Sequence, residues 1–242
     1  MLLHGYSDSA ATWLPSLSGL VKQWSVLAVD ARGHGLSGLP EEPFGPQAMA
    51  DEAAMVLDSL EVRRQVTVIG GSMGGLTAAV LASRRPDLVG RLVLEEPAVG
   101  TRERRASDQH MGRPDWLIEV KALDMTARVA WARRHYPTWP DDELRPWAES
   151  VGQVDLRLHD LPWEAPVWLP EVIMTVRCPT SFILGDLDHG SLINAATESE
   201  CLAVAAAGST VVRIPGVGHG VHREARDDCL RVIETALSSA AK

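Results

Sequence analysis

Six short apolar runs alternating with segments of helical period predict an α/β protein on a doubly wound, mostly parallel sheet. The runs are almost continuous in Val, Ile and Leu, as strands covered on both faces require. Glycine-bearing turns follow several of them, at Gly5, Gly70, Gly185 and Gly216. Residues just past the strand ends of such a sheet converge on one edge, so these distant turns are expected to meet there.

Met1–Leu3 is the first strand expected, followed by a helix over about Ala10–Gln23 and a strand over Ser25–Val29. Pro46–Leu60 reads as a helix, Gln65–Ile69 as a strand and Gly74–Arg84 as the helix behind it. Arg91–Leu94 completes the first run of strands. Thr180–Leu184, a helix over Ala195–Ala207, Thr210–Ile214 and a terminal helix over His222–Ala240 resume the pattern. Between about Thr101 and Pro170 no strand is evident. Seven of the fifteen prolines and six of the eight tryptophans fall there: Trp116, Trp131, Trp139, Trp147, Trp163 and Trp168. Proline stops and restarts short helices. Residues 101–170 are therefore expected to form a helical cap inserted into a core made of residues 1–100 and 171–242. Most of the tryptophans are expected to pack the cap, and a few to line an apolar pocket. Gly100–Arg113, with Arg102, Arg104, Arg105 and Arg113, is expected to be the hinge.

A chain of 242 residues buries about 70–75% of its unfolded surface and needs no disulfide or metal to fold. Its net charge of −9 argues against nucleic-acid binding, which rests on clustered Lys and Arg, and against an anionic membrane surface. No apolar run reaches the 18 or so residues of a spanning helix, and no signal-peptide pattern is visible. Cys178, Cys201 and Cys229, an odd number at unrelated spacings, are expected to be free thiols in a reducing, cytoplasmic setting.

The sharpest local signal is Gly70-Gly71-Ser72-Met73-Gly74, a Gly-x-Ser-x-Gly pattern between an expected strand and an expected helix. A serine on so tight a turn has its hydroxyl pushed clear of the sheet, with small residues two before and two after. The helix N-terminus behind it supplies N–H groups and partial positive charge for a developing oxyanion. Neither the Lys-Ser/Thr ending of a phosphate loop nor Gly-x-Gly-x-x-Gly of a dinucleotide site is present. Gly185-Asp186-Leu187-Asp188 and Gly218-His219-Gly220 follow later strands, giving the order serine, acid, histidine.

Leu3-His4-Gly5, Asp30-Ala31-Arg32-Gly33-His34-Gly35-Leu36-Ser37, Gly70-Gly71-Ser72-Met73-Gly74-Gly75, Gly185-Asp186-Leu187-Asp188 and Gly218-His219 together resemble the α/β-hydrolase superfamily, in its capped serine-hydrolase branch. The resemblance spans nearly the whole chain. It implies Ser72 as nucleophile, His219 as general base, Asp188 as the acid that orients it, and the Tyr6 and Met73 amides as the oxyanion hole. Asp186 and Glu96 are rivals for the acid, Glu96 because some superfamily members supply it from that strand end. His34 is expected to shape its loop, and His189 either to line the pocket or to face solvent. His222, three residues past His219, has no companions to complete a ligand set, so neither a metal nor another cofactor is expected.

These expectations describe a hydrolase acting on an ester, thioester or lactone of a small apolar acid, with a small-molecule substrate as partner. The same elbow resembles C–C bond hydrolases of vinylogous diketones and cofactor-free perhydrolases, and a non-catalytic receptor could keep the triad. The resemblance also implies a leading pair of strands, whereas Met1 lies within the Leu-His-Gly strand. The Ser25–Val29 strand would then have an uncovered edge, which predicts either a homodimer or aggregation through that edge, or an upstream start.

Overall fold

The computed structural model describes residues 1–17, 19–39, 43–102 and 113–239. Among the described residues, six parallel strands form one sheet: β1 (Leu2–Leu3), β2 (Ala28–Val29), β3 (Val66–Gly71), β4 (Val89–Glu95), β5 (Thr180–Leu184) and β6 (Thr210–Arg213). Their order is β2-β1-β3-β4-β5-β6, so the chain starts inside the sheet, runs to one edge, and crosses back to build the other side. All six expected strands are present, with ends shifted by a few residues.

The helices depart from expectation in two places. The stretch expected as one helix from Ala10 is three pieces: a 3-10 turn at Ala10–Trp13, α1 (Leu14–Leu17) and a second 3-10 turn at Leu20–Lys22. Pro15 brings no N–H to a helix started upstream, and the Thr12 hydroxyl closes back on the Ser9 carbonyl at 2.7 Å. At the other end, α9 (Val221–Glu224) and α10 (Arg226–Ser239) replace one long helix, because Ala225 leaves helical geometry at φ −131°, ψ 56°. Between these ends, α2 (Pro46–Ser59) and α3 (Met73–Arg84) stand close to their expected limits, as does α8 (Ala195–Val204).

Alternation along the strands divides the core. Val68, Leu92, Leu94, Phe182 and Leu184 face one apolar cluster with α2 and α3. Ile69, Val93 and Ile183 face the other, with Trp13, Leu17 and the apolar side of α10. Each fully buried Leu or Ile of this kind contributes about 1.5–3 kcal/mol. One irregularity interrupts the β3–β4 ladder: Val66 pairs with Val89 but Thr67 with Arg91, leaving Gly90 as an extra residue on β4.

Between β4 and β5 lie α4 (Asp115–Ala122), α5 (Met125–His135), α6 (Asp141–Gln153) and α7 (Leu169–Ile173). The first three share a third apolar cluster, built on Leu117, Trp131, Leu144, Trp147 and Val151, with Phe44 and Met49 of the core chain packed into it. Trp116, Trp131 and Trp147 stack with ring planes within 23° of parallel. Of the expected hinge, Arg102 lies near Glu171 and Glu200, and Arg113 pairs with Asp160; Arg104, Arg105 and His110 are outside the described residues. Cys178, Cys201 and Cys229 are buried free thiols. Among the described residues no helix is long and apolar enough to cross a membrane.

Candidate active site

Ser72 sits between the last residue of β3 and the first of α3, at φ 51° and ψ −116°. A non-glycine residue held at positive φ stores roughly 1–3 kcal/mol and persists only where its surroundings enforce it. They do so here. The Ser72 amide donates to the Glu95 carbonyl at 3.0 Å, and its own carbonyl accepts from Gly75, Leu76 and Ala98. A Cβ on Gly70 would overlap the Gly74 backbone, and one on Gly74 would overlap the Leu3 and His4 carbonyls. Both glycines are required by close backbone approach.

That packing brings the turn after β1 beside the serine: a Cβ placed on Gly5 would lie 3.4 Å from Ser72 Cβ. The amides of Tyr6, in this turn, and Met73, at the first position of α3, have no backbone acceptor among the described residues. The first N–H groups of a helix lack an intrahelical carbonyl, so Met73 presents a free donor beside Ser72. The Tyr6 hydroxyl and His159 Nε2 are 2.8 Å apart, and burial raises the phenol's pKa above its ordinary value.

His219 follows β6, and its Nδ1 lies 3.4 Å from Glu96 Oε2, at the long end of hydrogen-bonding distance. Glu96 is fully buried, one residue past the end of β4, and held at φ 41°. Its carboxylate also accepts from the Gly185 amide (2.7 Å), the Ser191 hydroxyl (2.6 Å) and the Leu192 amide (2.6 Å). Burial alone would raise its pKa, but these donors and His219 outweigh that and hold it below the ordinary carboxylate value.

Asp188 is elsewhere. It is exposed, and among the described residues its side chain makes no hydrogen bond or ion pair with His219. The reason is local: the loop from Gly185 to Leu192 wraps its backbone donors around Glu96, so its own carboxylates turn outward. Asp186 caps the short turn by accepting from the Asp188 amide at 3.3 Å, and lies 3.5 Å from His189. The carboxylate beside His219 is Glu96, whereas Asp188, the acid the resemblance implies, does not contact it among the described residues.

Ser72 and His219 line one cavity of about 510 Å³, within the range of small-molecule sites. No hydrogen bond joins them among the described residues, and such contacts are often loose without substrate. The far wall is the inner face of the helical insertion, with Trp116, Tyr136, Trp139 and Trp147. The tryptophans thus serve as both packing and wall. His189 also lines this cavity.

The sequence of this chain matches the alpha/beta hydrolase family over residues 1–232. The chain belongs to that family. It is 28% identical over 250 residues to the 2-(acetamidomethylene)succinate hydrolase of Mesorhizobium japonicum, a match covering 99% of this chain and 87% of that one. An esterase of Mycobacterium tuberculosis is 40% identical over 107 residues, 44% of this chain and 35% of the relative. Among solved structures, an esterase from a Rhodococcus species superposes with a TM-score of 0.76 at 21% identity, covering 98% of this chain and 89% of the other, which speaks to the fold.

Two more histidines of this family member explain themselves structurally. Buried His4 bridges its neighbours: Nδ1 lies 2.8 Å from the Gly5 carbonyl, and Nε2 accepts from the Ala31 amide at 2.9 Å. His34 is fully buried, with Nδ1 2.9 Å from the Arg32 carbonyl. Burial, reinforced by neighbouring His4, lowers its pKa to about 3. A histidine neutral in the fold but titrating near 6.5 when unfolded adds stability that is complete above about pH 6.5 and declines progressively towards pH 3. Thermal unfolding between pH 7 and pH 4 is expected to show that decline, on the order of a few kcal/mol. His34→Gln should flatten it, and an unchanged slope in that variant would assign the acid sensitivity elsewhere.

A second carboxylate–imidazole pair lies beside the first. His222 Nδ1 is 2.8 Å from both Glu95 oxygens, and the His222 amide donates to Oε1 at 2.7 Å. Burial would raise the Glu95 pKa; the His222 contacts and nearby Arg223 bring it below its ordinary value instead. No sequence motif marks this pair. Its sequence signal is Glu95-Glu96 directly after the apolar run Leu92–Leu94, where a buried charge requires a partner. His222 Nε2 is buried without a hydrogen-bond partner among the described residues, and its ring centroid lies 4.7 Å from that of Trp13. His219 is 40% exposed to the cavity side.

Proposed function

We propose that the protein is a serine hydrolase of small acyl compounds, with Ser72 as nucleophile, His219 as general base and Glu96 as the carboxylate that orients it. Ser72 Oγ attacks the substrate carbonyl while His219 Nε2 takes its proton. The Nδ1–H of His219 points to Glu96, whose negative charge stabilises the imidazolium. The amides of Tyr6 and Met73 receive the oxyanion. Collapse of the tetrahedral intermediate expels the leaving group, protonated by His219, and leaves an acyl-enzyme. Water deprotonated by His219 then attacks, releasing the acid and restoring the serine.

The observation that carries this reading is the Glu96–His219 contact on the rim of the cavity that also holds the strained Ser72. The aromatic wall and modest volume favour an ester, thioester or lactone of a small, largely apolar acid. The relative named for hydrolysing 2-(acetamidomethylene)succinate supports a small substrate. The helical insertion acts as lid over the site.

A fluorophosphonate probe tests the nucleophile directly. The folded chain is expected to take up one equivalent, mapped by mass spectrometry to the peptide containing Ser72, and heat-unfolded chain none. Folded protein that stays unlabelled overturns the hydrolase reading. A chromogenic ester panel run beside a vinylogous diketone then divides ester from C–C bond cleavage.

A further inference from the structure

Arg223, four residues past His219, is 6% exposed and occupies the junction of three segments of the site. Its Nη2 donates to Asp8 Oδ1 at 2.9 Å, its Nε lies 3.7 Å from Glu143 Oε2, and its guanidinium sits 4.5 Å above the Trp139 ring. Asp8 belongs to the turn that presents the Tyr6 amide. The turn is closed by the Asp8 amide on the Gly5 carbonyl at 3.1 Å and passes through Ser7 at φ 66°. Glu143 and Trp139 belong to the helical insertion, where Glu143 is fully buried on α6. Next to Arg223, His222 is anchored by backbone and ring to Glu95 at the end of β4.

We propose that Arg223 is a positioning residue that locks the oxyanion turn, through Asp8, to both the His219 segment and the helical insertion. Its catalytic consequence rests on the serine-hydrolase reading; its structural consequence does not.

The two carboxylates are not equivalent. Glu143 also accepts from Arg226 at 2.6 Å and Ser16 at 3.2 Å, so it keeps partners if Arg223 is lost. Asp8 is buried, and Arg223 is its one cationic partner among the described residues. A buried charge deprived of its partner either takes up a proton or moves towards water. Either response releases the turn that carries the Tyr6 amide. The Ser150 hydroxyl, on the Ser7 carbonyl at 2.8 Å, ties the same turn to α6, so loosening it is expected to loosen that helix as well. A donor displaced by about 1 Å lowers turnover by as much as about 100-fold while leaving ground-state binding nearly intact.

The test combines hydrogen exchange with kinetics on Arg223→Met, Asp8→Asn and the double variant. Arg223→Met is expected to speed exchange in peptides covering residues 4–13 and 141–153, with β3 and β4 unchanged. On a chromogenic ester, kcat should fall about 10–100-fold with KM within about threefold. Asp8→Asn should fall similarly, and the double variant no further than the worse single one, because one link is broken in each case. Arg223→Lys, which retains the charge without the fork, should lie between wild type and Met. Unchanged exchange in folded Arg223→Met overturns the proposal, as do losses that multiply in the double variant. Should Arg223→Met not fold, Arg223→Lys decides: wild-type exchange and kcat there overturn it. If the wild-type protein hydrolyses no ester, the exchange arm still decides the structural link, and the probe experiment separately rejects the hydrolase reading.

Discussion

Ser72→Ala is expected to lower turnover of any ester substrate by about 10⁴–10⁶, with the melting temperature within a few degrees of wild type. The activity loss follows from removing the attacking oxygen, since the amides and cavity that remain give only residual catalysis. The small stability effect follows from the backbone. Alanine is still an L-residue at φ 51°, so the strain of the elbow is retained. Ser72→Gly separates the two terms: it should be equally inactive but more stable, by roughly 1 kcal/mol, because glycine enters positive φ freely. Steady-state kinetics and thermal unfolding of the three proteins side by side check both statements. An Ala variant within tenfold of wild-type turnover would place the nucleophile elsewhere.

Glu96→Gln is the second large effect. It should lower kcat by about 10³–10⁴, the scale seen when a triad carboxylate becomes an amide. The amide keeps the shape but loses the charge that stabilises the imidazolium, and its NH₂ must face one of the donors from Gly185, Ser191, Leu192 or His219. That clash destabilises the fold too, so kcat must be measured well below the melting temperature. Asp188→Asn supplies the contrast. An exposed carboxylate without a contact to His219 should be replaceable with less than about a threefold change. The reverse ranking, Asp188 indispensable and Glu96 tolerant, would restore the acid to the loop after β5.

Gly-x-Ser-x-Gly between strand and helix is a local pattern, and the close approaches that demand Gly70 and Gly74 are local as well, so the elbow was legible. The strands were legible because each holds a short run of Val, Ile, Leu or other apolar residues. The identity of the acid depends instead on how a loop folds over a neighbouring strand end. Asp188 and Glu96 are both carboxylates just past a strand, and only the curl of Gly185–Leu192 around Glu96 decides between them. The Arg223–Asp8 link joins residues 215 apart in the chain and carries no motif at all. The apolar period from Ala10 does not become one helix, because Pro15 interrupts it.

The extra residue Gly90 has a consequence well downstream of its position. Strand side chains alternate, so the phase of β4 determines which glutamate at its end turns to which flank. Two residues beyond Val93, Glu95 falls on the flank of Val93 and Trp13, where it meets His222, while Glu96, past the strand end at φ 41°, turns to His219. A slip of one position would carry Glu95 to the opposite flank, away from His222, without altering a single side chain. A residue with no side chain, five positions upstream, thus settles on which side of the sheet the closing carboxylate of β4 lies.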